Sequence, residues 1–376
     1  MNNNEVTEYE EDKILDESVI ADTTITNPFS TKDIKISNAI VLLPSLVKRL
    51  EYGEIINPDF QRNANLWTNK QMSRLIESIL LKLPLPIFYF DVSDPEKWII
   101  VDGLQRLSTI NKFFVEKKLV LNNLEFLTDL NGKKYDDLER HFLRIIDDTE
   151  FITYQIEAQT PKKVRYSLFN RINTGGLTLN AQEIRQALNQ EGNGVSFLKE
   201  VCEDDNFKSI VNVSAKRMLD RELVLRFIAF KLTNYKEFSF NNMGEFLDEA
   251  MEKLDAIKDD NELVELKKEL IDTLKFSETI LGKNHRFSRS IANEKKTNTL
   301  NRSLFDVLTV CFSEIDNKEF FINNKGTFID KFLNLLKDEN SNFSKAITEG
   351  TSTKSMIESR FEIMENLIKE VLNEDR

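Results

Sequence analysis

Every stretch of this chain that reads as a β-strand lies before residue 157, and everything after residue 190 carries only helical spacing. The strand candidates are EIIN at 54–57, IFYFDV at 87–92, WIIV at 98–101 and FITYQI at 151–156. Beyond 190, apolar residues recur every three or four positions near 195–205, 214–232, 242–280, 301–315 and 328–372. Such segregation predicts an α+β chain, a small α/β domain followed by a mostly helical one. Only 11 glycines and 7 prolines occur in 376 residues, which speaks against a loop-rich β-sandwich.

Three regions follow from this reading. Residues 1–35 hold nine acidic and three basic residues, a net of −6, and read as a solvated, flexible arm. Residues 36–190 form the α/β domain. Residues 191–376 form the helical one. Within the first domain, NAIVLLPSLVKRLE at 38–51 reads as a short helix ended near Gly53. Thr68 and Gln71 have capping-box spacing ahead of a helix that stops before the PLP at 84–86. A helix with Leu104, Leu107, Ile110 and Phe114 on its apolar face runs to about Lys118. Pro161 opens another that ends at NTGG, 173–176. Asn180 and Glu183 then cap AQEIRQAL.

No run of 18 uncharged apolar residues is present, so no membrane span is expected. The first residues lack the basic and apolar regions of a secretory signal. Two cysteines, Cys202 and Cys311, suit a reducing compartment, and the expected location is the cytoplasm. A net charge of −12 argues against a protein that coats nucleic acid, although a local basic groove is compatible with it. Two cysteines and two isolated histidines, His141 and His285, offer no zinc spacing. His141 is expected to fill a helix face.

The chemistry concentrates at KWIIVDGLQRLST, 97–109. A strand ends at Asp102-Gly103 and a helix begins, the place where α/β sheets tend to hold ligands. The helix terminus favours an anion, Gly103 allows close backbone approach, and Arg106 could add a bidentate phosphate contact. Asp102 could orient Arg106, hold a divalent metal or accept a hydroxyl hydrogen bond. The bland reading stands beside these: Asp102 and Gln105 also have capping-box spacing. Three further clusters are polar. PDFQR contributes Gln61 and Arg62. FNRINTGG contributes Asn170, Asn173, Thr174 and Gly175. GKNHRFSRSIANEKK, 282–296, contributes Lys283, Arg286 and Arg289, and reads either as a DNA contact or as a solvated interhelical loop.

The order of these motifs, PDFQR, the helix at LIESIL, PLPIFYF, VDGLQRLST and LFNRINTGGLTLNAQEIRQAL, resembles the ParB/sulfiredoxin-like domain at the front of the GmrSD restriction proteins, whose hallmark reads DGQQR. The resemblance covers about residues 38–190. It implies nucleotide binding or hydrolysis in a DNA-restriction or anti-phage defence setting. Asp102, Gly103, Gln105 and Arg106 would form the phosphate-proximal core. Gln61 and Arg62 would be neighbours, and Asn170, Asn173 and Thr174 a wall of the pocket. A nucleoside triphosphate with Mg²⁺ is the implied cofactor, with Asp102 or Asp59 as the carboxylate ligand. Two departures matter. Leu104 replaces a Gln of the hallmark, which puts hydrolysis in more doubt than binding. No HNH pattern surrounds His141 or His285, so a self-sufficient HNH nuclease is not expected, and a nuclease would be a separate effector subunit or absent. No cysteine adjoins the turn, so sulfiredoxin chemistry does not carry over.

Three functions compete: a nucleotide-dependent sensor or NTPase subunit, a DNA-binding or DNA-cleaving module without NTP hydrolysis, and an interaction protein with a degenerate pocket. Homo-oligomerisation is compatible with each.

Overall fold

The computed structural model describes residues 34–56, 67–172, 180–189, 192–283, 285, 287–292 and 299–373. The acidic arm of the sequence reading therefore lies outside the described residues, except for Ile34 and Lys35. The chain is α+β: the contacts divide it into two compact units, one ending at Leu179 and one running from Asn180 to the C-terminus.

In the first unit the order is β1 (Ile36–Leu42), α1 (Leu43–Glu51), β2 (Ile55–Ile56), α2 (Asn69–Leu80), β3 (Phe88–Asp91), β4 (Trp98–Asp102), α3 (Leu104–Ile110), α4 (Arg140–Asp147), β5 (Glu150–Ile156) and α5 (Lys162–Ile172). The strands form one mixed sheet in the order β1-β5-β3-β4-β2. β1 runs antiparallel to β5, β5 parallel to β3, β3 antiparallel to β4, and β4 parallel to the two-residue β2. One face carries Phe88, Phe90, Trp98, Ile100 and Phe151 into a core shared with α1, α2 and α3. Phe88 stacks on Phe90 at 5.9 Å and meets Phe151 edge-on at 5.2 Å.

β1 corrects the sequence reading, which placed a helix from residue 38. Pro44 sits in the first turn of α1, where its missing N–H costs nothing, so the helix begins at Leu43. The residues before it pair with β5 and alternate strictly between exposed and half-buried. The Thr68–Gln71 capping box forms as the spacing predicted. The helix expected to run to Lys118 is α-helical only to Ile110, then widens into a π-helical turn over Asn111–Val115.

The second unit contains α6 (Ala181–Leu188), α7 (Asn193–Glu203), α8 (Asp205–Val211), α9 (Leu219–Leu232), α10 (Met243–Ala256) and α11 (Asp260–Leu281). It continues with α12 (Arg302–Ser313), α13 (Lys318–Asn323), α14 (Lys325–Lys337), α15 (Asn342–Ala346) and α16 (Lys354–Asn373). α9, the LVLRFIAFKL helix, is buried along most of its length. The long periodic stretch 242–280 is two helices, because Asp259 caps a new start through the Asn261 N–H at 2.9 Å. The contacts divide the chain ahead of α6. Its Asn180 and Glu183 form the predicted reciprocal cap, and Arg185 bonds Asp248 of α10 at 2.6 Å.

Candidate functional site

β4 delivers Asp102 to the edge of the core, and Gly103 turns the chain into α3. Gly103 has φ +105°, a region that an L side chain rarely occupies. A Cβ there would also lie 2.5 Å from Cδ1 of Phe88. Conformation and space each demand glycine at this one position.

The predicted Asp102–Gln105 capping box does not form, and no side chain caps α3. The Asp102 carboxylate is engaged one residue further on: Arg106 Nη2 donates to its Oδ2 at 3.1 Å. Of the roles open to Asp102 in the sequence, the geometry contains the orienting contact to Arg106. Its side chain is 35% exposed, and among the described residues its other oxygen has no partner.

Arg106 is buried, with only 8% of its surface exposed. Nη1 donates to the carbonyl of Pro86, and Nη2 to the carbonyl of Ile87 at 3.2 Å as well as to Asp102. The guanidinium carbon sits 4.6 Å over the Phe88 ring. Burial pushes its pKa down and the Asp102 charge pushes it up. Three of the roughly five N–H groups of a guanidinium are thus committed to the protein. Arg106 fastens the segment before β3 to the turn after β4, which explains why PLPI and DGLQR occur together. Leu104 is partly buried and packs on the core, so the position where the hallmark has Gln is used here for packing. Gln105 is half-buried on α3.

The other predicted residues are placed unevenly. Gln61, Arg62, Asp59, Asn173, Thr174 and Gly175 lie outside the described residues, as does the side chain of Asn170. The helix that bears Asn170, α5, packs against β4, the strand that ends in Asp102. In the helical unit Lys283 is exposed, Arg289 opens a short 3₁₀ turn, and Arg286 lies outside the described residues. That stretch is more than a solvated loop, because His285 and Phe287 within it are buried. His285 Nδ1 accepts the Phe287 N–H at 3.0 Å, so the neutral ring carries its hydrogen on Nε2, 3.3 Å from Ser277 Oγ. Burial lowers its pKa to about 4. His141 corrects its expectation: it is exposed, 3.4 Å from Glu139, and fills no buried helix face. Among the described residues no group of three or more His, Cys, Asp or Glu side chains could hold a metal by itself.

Two buried carboxylates of the first unit escaped the sequence reading. Asp91, at the end of β3, accepts the backbone N–H of Ser93 at 2.9 Å and meets Arg165 of α5 at 3.3 Å. It ties α5 to the β3–β4 turn, and the signal was the Asp-x-Ser spacing that makes an Asx turn. Glu77 of α2 accepts the N–H groups of Glu125, Phe126 and Leu127 at 2.7 to 3.0 Å. Nothing local in the sequence announces this contact, because its partners lie 48 to 50 residues away.

Residues 43–190 match the family described as GmrSD restriction endonuclease, N-terminal domain. Neither a curated protein nor a solved structure matches the chain. No described helix is long and apolar enough to cross a membrane.

Proposed function

Because residues 43–190 match the family described as GmrSD restriction endonuclease, N-terminal domain, we propose that this chain is a nucleotide-binding subunit of a DNA-restriction or anti-phage defence system. The observation that carries the reading is the Asp102–Gly103 turn. Its backbone is held in a glycine-only conformation at the carboxyl end of a strand, and one carboxylate oxygen has no partner among the described residues.

That oxygen suits a Mg²⁺ ion carried on nucleotide phosphates, since Mg²⁺ in such sites takes one or two protein carboxylates and completes its shell with phosphate and water. A bound Mg²⁺ would supply charge neutralisation for the phosphates. The protein's own contribution is positional. Arg106 holds Asp102 in place from a buried site and keeps a positive charge beneath the turn. Its two uncommitted N–H groups are what remain for a phosphate, so Arg106 serves first as a positioning residue. Gln105 is the amide available for a water or a ligand. The helical unit would pass the bound state to DNA or to a separate effector subunit.

Calorimetric titration with the ribonucleoside triphosphates, with and without Mg²⁺, tests this. Wild type is expected to bind at least one, more tightly with Mg²⁺, and Asp102→Asn is expected to lose the Mg²⁺ enhancement while staying folded. Arg106→Ala should lose binding and also stability. Absence of binding to every nucleotide by folded wild type would overturn the proposal. DNA affinity that falls steeply with salt and drops on removal of Lys283 and Arg289 would then favour a DNA-binding module.

A further inference from the structure

β1 is an edge strand, with β5 on one side and no described strand on the other. The bonds at its two ends fix which way its backbone faces. The Lys35 carbonyl accepts from Glu157 N at 3.0 Å, and Leu43 N donates to the Thr149 carbonyl at 2.8 Å. In an antiparallel ladder alternate residues bond the same neighbour. Ser37, Ala39 and Val41 therefore turn their N–H and C=O groups to β5, and Ile36, Asn38, Ile40 and Leu42 turn theirs to the open side. The same four carry their side chains on the exposed face. Ile40 is 65% exposed, and Ile152, opposite it on β5, 54%.

Nothing within the strand guards this border. Its sequence, ISNAIVL, has no charge and no proline, and it pairs with β5 without a bulge. The open-side residues are also spaced symmetrically about Ala39. With Ala39 opposite Ala39 of a second copy, Ile36 meets Leu42 and Asn38 meets Ile40, and each such pair exchanges both of its backbone hydrogen bonds. A charged residue in a self-pairing strand would bring its own like charge close, and β1 has none. The ends are complementary in charge. Lys35 precedes one end of β1, and Glu150 lies on β5 beside Leu42 at the other, both exposed. Antiparallel pairing sets Glu150 of each copy level with the Ile36 end of the other, two strand spacings or about 10 Å away. At about 0.1 M salt the Lys35 charge is felt over that distance.

We infer that two copies of this chain pair through β1, antiparallel about Ala39, so that their five-stranded sheets join into one. Ile36, Ile40, Leu42 and Ile152 of both copies then form a shared apolar strip on one face of the joined sheet.

Sedimentation velocity on the full chain over a range of concentrations is expected to show a reversible dimer. Ile40→Lys enters a symmetric interface twice and should weaken dimerisation by at least about tenfold, with an unchanged circular dichroism spectrum. Ala39→Cys tests the register. Partners that are not hydrogen-bonded have Cα atoms about 4.5 Å apart, within disulfide range. Mild oxidation should therefore yield a covalent dimer, while the buried Cys202 and Cys311 stay out of reach. Wild type that stays monomeric at every concentration would overturn the inference, whatever else covers the edge. So would a dimer that Ile40→Lys leaves intact or that Ala39→Cys fails to cross-link, since either places the contact elsewhere.

Discussion

A methyl group at position 103 would meet the Phe88 ring and would have to sit at positive φ, so Gly103→Ala carries two separate penalties. Backbone strain of about 1–3 kcal/mol adds to overpacking of about 1–3 kcal/mol. The expected outcome is a fall of roughly 2–6 kcal/mol in urea unfolding followed by circular dichroism. Glu77 makes a pH-dependent contribution. Burial alone would raise its pKa, but the three backbone N–H groups, aided by the Arg74 charge, hold it below its usual value. A carboxyl with a lowered folded pKa stabilises the fold above its unfolded value, and that stabilisation fades as pH falls through the folded pKa. Glu77→Gln should therefore cost about 1–3 kcal/mol at neutral pH and progressively less in acid. An equal cost at pH 7 and pH 3 would contradict this account.

At the scale of elements, the helical unit is joined by buried charge as well as by phenylalanines. Arg226 of α9 grips Asp306 of α12 through two hydrogen bonds at 2.9 and 2.6 Å, and Arg360 of α16 lies 3.5 Å from the same carboxylate. All three side chains are nearly or fully buried. Asp306→Ala should destabilise by about 3–5 kcal/mol, because it leaves buried guanidinium groups facing a void. Arg226→Met should cost less than Asp306→Ala, since Asp306 keeps Arg360. A double-mutant cycle read by denaturant midpoints would show the two substitutions to be non-additive. If the single costs sum, the pair is not coupled as its geometry requires.

For the molecule as a whole, the two cysteines report on the helical unit. Cys202 and Cys311 are both buried, and burial pushes both thiols well above their ordinary pKa. Native protein is expected to react with a thiol reagent far more slowly than denatured protein, which should titrate both cysteines. Asp306→Ala should speed that reaction. Fast labelling of either thiol in folded wild type would show that its helix opens locally.

Local order in the sequence determined a good deal. WIIV, FYFD and FITYQI are strands because short apolar, β-branched and aromatic runs end at turn residues. Thr68, Asn180 and Asp259 start helices because a side-chain oxygen meets an orphan N–H within three residues. Only the tertiary structure decided the rest. NAIVL at 38–42 carries an apolar pattern that suits helix or strand, and its pairing with β5, more than 100 residues later, settled it. DGLQR contains the spacing of a capping box, yet Asp102 turns to Arg106 because burial leaves that guanidinium in need of a carboxylate beside two carbonyls. Capping acts over one turn and is legible in one dimension. Burial and strand pairing depend on which distant segments meet, and that is fixed only when the whole core closes.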